Sequence, residues 1–267
     1  MNKIAIIPTL LTLGNAVCGF AAIAYAGKIG LTDNQTTNDF YLALSGWLII
    51  AAMVFDALDG HVARLARSTS KFGAELDSLC DAVSFGAAPA FLLLRLGPGW
   101  EAPLWHQTLA VVATLYIVCA VLRLARYNVV ETAAADNGGG KRFRGLPSPA
   151  AAGCIASLAV LRGEVAYRWP GLDPAVVRSV VEVWSIFGAL LVALLMVSRV
   201  PYPHMTKHML RGRRHFDHLI FVILAVCVLA IIQDMALAVV FWGYVLAVLA
   251  QTAWERARHH EAIAIHQ

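Results

Sequence analysis

Asp56-Ala-Leu-Asp59-Gly60-His-Val-Ala63-Arg64 closes one apolar stretch of the chain, and Gly73-Ala-Glu-Leu-Asp77-Ser-Leu-Cys-Asp81 opens the next. Four aspartates thus fall within 26 residues of a 267-residue chain that is 59% hydrophobic and 14% charged, with a mean hydropathy of +0.67. Soluble domains carry far more polar residues than this. The composition predicts an all-α, polytopic membrane protein. Charged groups at membrane depth are costly, so by default they mark a functional site.

About 20 apolar residues cross a bilayer as a helix. Eight stretches come near that length, at 8–27, 40–60, 72–95, 106–127, 147–163, 179–199, 216–233 and 235–254. The fifth and seventh are short, and the last two are joined by almost no loop, so six to eight spans are expected. Thr9, Thr12 and Asn15 interrupt the first stretch, which reads as a retained helix rather than a cleaved signal. One domain is expected over 1–254, with a core near 5–205, extra spans near 216–254 and a polar, fraying tail at 255–267.

With eight spans, the termini and the loops around 61–71, 123–146 and 199–214 share one side. That side holds 16 of the 21 Lys and Arg residues, leaving Lys28, Arg95, Arg162, Arg168 and Arg178 on the other. The positive-inside rule then places both termini and the acidic run on the cytoplasmic face of the cell membrane. A formal charge of +4 calls for no nucleic-acid partner. Five cysteines, scattered singly without a CxxC pair, read as small buried hydrophobes. His204, His208, His215 and His218 lie in a basic interfacial stretch with no acid or cysteine arranged beside them, and read as interface residues.

On a helix, Asp56, Asp59, Gly60, Ala63 and Arg64 form one stripe, and Asp77 and Asp81 share a face of the next helix. Arg67, Ser68, Thr69, Ser70 and Lys71 supply a polar turn between them. The two helices are expected to be antiparallel neighbours whose four carboxylates converge. Bare carboxylates that close repel each other. A hard divalent cation relieves the conflict, and all-oxygen ligation suits Mg²⁺, Mn²⁺ or Ca²⁺. Gly60 leaves room for a ligand to approach the backbone, and Arg64 offers a planar fork to phosphate oxygens. Interfacial ion pairing with Arg64, Arg67 and Lys71 would explain one or two acids, not four in register.

The pattern D-x2-D-G-x2-A-R-x8-G-x3-D-x3-D resembles the signature of the CDP-alcohol phosphotransferases, with every fixed position present. That resemblance implies a membrane enzyme that moves a phosphatidyl-type group from a CDP-linked lipid to an alcohol and releases CMP. It implies that Asp56, Asp59 and Asp77 bind metal, Mg²⁺ or Mn²⁺, and that Asp81 joins them or acts as the base. Gly60 and Arg64 would hold the diphosphate, and Ser70 occupies a donor-contacting position. The family is often dimeric, which implies a homodimer. Pro8-Thr9-Leu10-Leu11-Thr12-x-x-Asn15 resembles the family's entry segment, with Thr9 where Asn is usual. Thr12 and Asn15 are therefore either donor-site residues or helix polar groups satisfied by nearby backbone.

Three stretches resemble the phosphatidylserine synthase branch of the family. They are Asp77-Ser-Leu-Cys-Asp81-Ala-Val-Ser84-Phe-Gly86-x-Ala-Pro89, Arg123-Leu-Ala-Arg126-Tyr127-Asn128 and Phe143-x-Gly145-Leu-Pro147-Ser148-Pro149. Ser198-Arg-Val-Pro201-Tyr202-Pro203 fits less distinctively. The resemblance implies CDP-diacylglycerol as donor and L-serine as acceptor. Arg123 and Arg126 either hold serine's carboxylate or snorkel to headgroups as positive-inside anchors. The rival readings are a same-family enzyme using inositol phosphate, glycerol phosphate or choline, and an intramembrane cation transporter.

Overall fold

The computed structural model describes residues 3–65, 71–97, 103–137, 145–168, 171–198 and 233–264. All of its regular structure is helical: α1 (Lys3–Ala26), α2 (Gln35–Leu65), α3 (Lys71–Asp81), a π-helical turn (Ala82–Ala87), α4 (Ala88–Leu96), α5 (Pro103–Asn137), α6 (Ser148–Arg168), α7 (Pro174–Val197) and α8 (Gln233–Ala264). Six stretches among these residues are long and apolar enough to cross a membrane: Pro8–Ala26, Gln35–Val62, Phe72–Leu96, Leu104–Val129, Pro174–Val197 and Met235–Thr252. The stretch at 216–233, the Pro201–Pro203 segment and the four histidines from His204 to His218 lie outside the described residues.

Helices α1 and α2, the span from α3 through α4, and helices α5, α6 and α7 alternate in direction. Asn15, Asp81, Arg123 and Ser148 meet toward one end of the bundle, whereas Leu96, Arg162 and Arg178 meet at the other. Helix α1 packs along α2 and also against α3, the π turn and α4. It therefore packs against both acid-bearing spans. Large apolar side chains such as Val17, Phe20, Val111, Phe187 and Val239 are exposed on the outside of the bundle. Water would make such a surface adhesive, whereas lipid makes it ordinary.

The fifth stretch, short and weakly apolar by sequence, is the buried centre of the bundle. Helix α6 packs against α2, α7 and α8, and Ala151, Ala152, Cys154, Ile155, Ala156 and Ala159 on it are buried. A helix facing other helices needs small residues rather than high hydropathy. Gly46 of α2 shows the consequence, since a Cβ there would lie 2.8 Å from the Ala156 carbonyl oxygen. Trp242 of α8 closes the far side by donating its indole N–H to the Cys154 carbonyl at 3.2 Å. The polar tail expected to fray from Glu255 is helical through Ala264.

The third span is not the single helix that its hydropathy implies. Six residues after Asp81 form the π turn, with the Ala88 N–H donating to Val83 O. Pro89 explains part of this break. It has no N–H to return to Phe85 O, and that carbonyl instead accepts the buried Tyr116 hydroxyl at 3.1 Å. The Ser84 hydroxyl faces α1 and donates to Asn15 O at 2.9 Å. Gly19 permits that contact, because a Cβ at residue 19 would overlap Ser84.

Candidate active site

Asp56 and Asp59 sit toward the end of α2, and Asp77 lies on α3, which follows the polar link. One carboxylate oxygen from each falls within 4.8 Å of the other two. Asp59 is buried, 5% exposed. Its Oδ2 and the Oδ1 of Asp77 are buried without a hydrogen-bond partner among the described residues. Buried carboxylate oxygens left unpaired are unfavourable on their own. A hard cation would satisfy both, so the donor set fits a divalent metal ligated by oxygen.

Asp81 stands beside this trio rather than in it. Its Oδ1 accepts a hydrogen bond from Asn15 Nδ2 at 3.1 Å, and Asp56, Asp77, Asp59 and Arg123 surround it electrostatically. Asn15 is fully buried, and its own Oδ1 has no partner among the described residues. The Thr12 hydroxyl donates to Pro8 O at 3.0 Å and also lies against Asp59. Thr12 is therefore satisfied by nearby backbone while also bordering the carboxylates. The four carboxylates expected to converge do so, with Asp56, Asp59 and Asp77 close enough to share one cation and Asp81 beside them, hydrogen-bonded to α1.

Arg123 reaches the same place from α5. Its guanidinium faces Asp81 and Asp56, with Tyr116 and Tyr127 beside it. Its Nη1 donates to Ser148 Oγ at 2.8 Å. Ser148 is buried at the start of α6, where a tight strap positions it. Gly145 has φ +95, and a Cβ on it would overlap the Met196 carbonyl. Leu146 N–H donates to Leu195 O at 3.0 Å. Only glycine takes that backbone shape at that approach without strain. Arg126, three residues on, is exposed.

Gly60 lies in α2 directly after Asp59. Arg64 belongs to the same helix, and Ser70 lies outside the described residues. Contacts between elements carry no signal along the chain: Ser148 on Arg123, Ser84 on the Asn15 backbone, and Ser78 on Asn128. The Ser78 hydroxyl and the Asn128 side chain are hydrogen-bonded, with Asn128 Nδ2 donating at 3.0 Å. Pro89 was the available sign of the π turn, and Gly145-Leu-Pro-Ser148 of the strap.

The chain is similar to known proteins along most of its length. The family described as CDP-alcohol phosphatidyltransferase matches residues 5–195. The chain is 30% identical over 207 residues to a CDP-diacylglycerol–serine O-phosphatidyltransferase of Helicobacter pylori, covering 78% of this chain and 76% of that protein. It is 31% identical over 256 residues to the Mycobacterium bovis protein of the same name, covering 92% and 76%. It is 32% identical over 199 residues to an archaetidylserine synthase of Methanothermobacter thermautotrophicus, covering 74% and 69%.

Proposed function

The chain belongs to the CDP-alcohol phosphatidyltransferase family, and we propose that it transfers the phosphatidyl group of CDP-diacylglycerol to the hydroxyl of L-serine, giving phosphatidylserine and CMP. The observation that carries this reading is the three-carboxylate cluster with Asp81 and Arg123 beside it. Relatives in three organisms named for serine transfer support the choice of acceptor. Family membership sets aside the cation-transporter reading.

Asp56, Asp59 and Asp77 would hold the divalent ion, Mg²⁺ or Mn²⁺ by their all-oxygen chemistry. Such an ion supplies charge neutralisation to the donor's diphosphate and to the departing CMP. Gly60 gives the diphosphate room beside α2, Arg64 grips its oxygens, and Ser70, Thr12 and Asn15 complete the donor contacts. Arg123 takes serine's carboxylate in a charge-assisted pair, with Arg126 nearer the entrance.

Serine's hydroxyl is a weak nucleophile and needs a base within hydrogen-bond reach. Asp81 accepts its proton. The serine oxygen then forms a bond to the phosphorus that carries diacylglycerol, and the bond from that phosphorus to the bridging oxygen of CMP breaks. Asn15 keeps Asp81 aimed while this happens. The lipid chains stay in the bilayer, and the basic-residue distribution supports a cytoplasmic active site and cytoplasmic termini in the cell membrane. A homodimer is the assembly that the family leads us to propose.

Purified protein incubated with CDP-diacylglycerol and separately with labelled serine, inositol phosphate, glycerol phosphate and choline tests the reading. Phosphatidylserine and CMP should form with serine alone. Product from another alcohol at a comparable rate would overturn the acceptor. Near-unmodified turnover by Asp81→Asn would overturn the base.

A further inference from the structure

At the opposite end of the bundle lies a cavity of about 240 Å³ lined by Asn38, Asp39, Arg95, His106, Arg162 and Arg178, among others. Seventeen positions of α2 separate Asp39 from Asp56, a rise of about 25 Å. The cavity therefore lies near the far membrane interface, where the apolar stretches starting at Gln35, Leu104 and Pro174 begin and the one finishing at Leu96 ends. That end of the chain has only five basic residues, and three of them line this one cavity.

Arg162 is the informative member. Its side chain is only 9% exposed, with Nη2 3.6 Å from Glu182 Oε1. Its Nη1 donates to Leu96 O at 2.6 Å, capping the end of α4. A structural tie accounts for those two contacts but not for Nε, which is buried with no partner among the described residues. Arg178 donates its Nε to Glu182 at 2.9 Å while its side chain stays 45% exposed. Arg95 is exposed above the Phe91 ring. Asp39, engaged by Gln35 Nε2 at 2.8 Å, adds one acceptor to the cationic lining.

We propose that this cavity is a second ligand site, separate from the carboxylate cluster, that binds a phosphate group carrying a hydroxyl or ammonium substituent. Guanidinium groups match phosphate oxygens in geometry and charge. Asp39 receives the substituent's donor and disfavours a bare dianion. At headgroup depth the natural source is a phospholipid of the surrounding leaflet, and free phosphate is the other source of the same chemistry.

The test uses the full-length protein in neutral detergent with divalent ions chelated, and dihexanoyl phosphatidylglycerol as probe, read by native mass spectrometry. The unmodified protein should retain the lipid. Arg95→Gln/Arg178→Gln should lose about tenfold or more of that affinity, as expected when charge-assisted hydrogen bonds are removed. Both side chains are exposed, so basal transfer activity should persist and certify folding. Asp56→Asn/Asp77→Asn should keep the adduct. Competition by inorganic phosphate would assign the site to the phosphate group itself, and failure to compete would assign it to the headgroup. Either result supports the site. No retained lipid in the unmodified protein, equal retention in the arginine variant, or loss in the aspartate variant would overturn it, and none of these bears on serine transfer.

Discussion

The side-chain amide of Asn15, fully buried in α1, holds Asp81 of α3 through a 3.1 Å hydrogen bond across 66 residues of sequence. That bond fixes Asp81 beside the cluster formed by Asp56, Asp59 and Asp77. Asn15→Ala should leave the half-buried Asp81 oxygen without this partner, at a cost of about 1–3 kcal/mol. Turnover should fall about 10- to 100-fold, the usual effect of losing a partner that orients a site group. Steady-state kinetics on the purified variant checks this, with unchanged KM for serine separating an orienting role from acceptor binding.

Asp56→Asn and Asp77→Asn each remove an oxygen donor from the cluster. Activity should drop by more than about 100-fold, since even outer partners of metal ligands cost 10- to 100-fold. EDTA should abolish turnover in the unmodified protein, and added Mg²⁺ or Mn²⁺ should restore it. Turnover that survives exhaustive chelation would remove the metal from the scheme.

Arg123 and Ser148 make a 2.8 Å hydrogen bond between α5 and α6. Arg123→Lys loses the planar fork while keeping the charge, and such a change is not conservative at a bidentate site. Serine KM should rise about tenfold or more, with the KM for CDP-diacylglycerol little changed. Ser148→Ala should shift serine KM in the same direction by less. A variant that raises only the donor KM would move Arg123 to the nucleotide lipid.

Gly19→Ala should be more damaging than its one added methyl suggests. The new Cβ would overlap Ser84 in the π turn, and overpacking of this kind costs about 1–3 kcal/mol. Because α1 carries Asn15, lower thermal stability should come with lower activity. Ser84→Ala, which only deletes the donor to Asn15 O, should cost about 1 kcal/mol. Thermal unfolding in detergent ranks the pair.

Gly145→Ala forces a side chain onto a residue at φ +95 and against the Met196 carbonyl. Backbone strain of this sort costs about 1–3 kcal/mol. The strap should shift, Ser148 should leave Arg123, and serine KM should rise even though residue 145 touches no substrate.

Much of this protein is legible one residue at a time. The apolar runs require membrane helices because unpaired backbone groups cannot face lipid. The spacing of Asp56, Asp59, Asp77 and Asp81 follows helix periodicity, so their shared faces can be read from sequence alone. What periodicity cannot supply is the contact between helices distant in the chain. That contact decided that α1 packs against both acid-bearing spans, that Asn15 hydrogen-bonds Asp81, and that Ser148 reaches Arg123. The same limit left α6 a short, marginal stretch at 147–163, because its small residues lower its hydropathy where its neighbours are helices instead of lipid. It also hid the π turn, where one proline and one distant tyrosine hydroxyl redirect a span that hydropathy reads as continuous. Sequence determined the membrane helices and the acids they bear, since both follow from local periodicity and solvent. Tertiary packing decided which acids cluster within 4.8 Å and which side chains of α1 and α5 meet them, since only folding makes distant side chains neighbours.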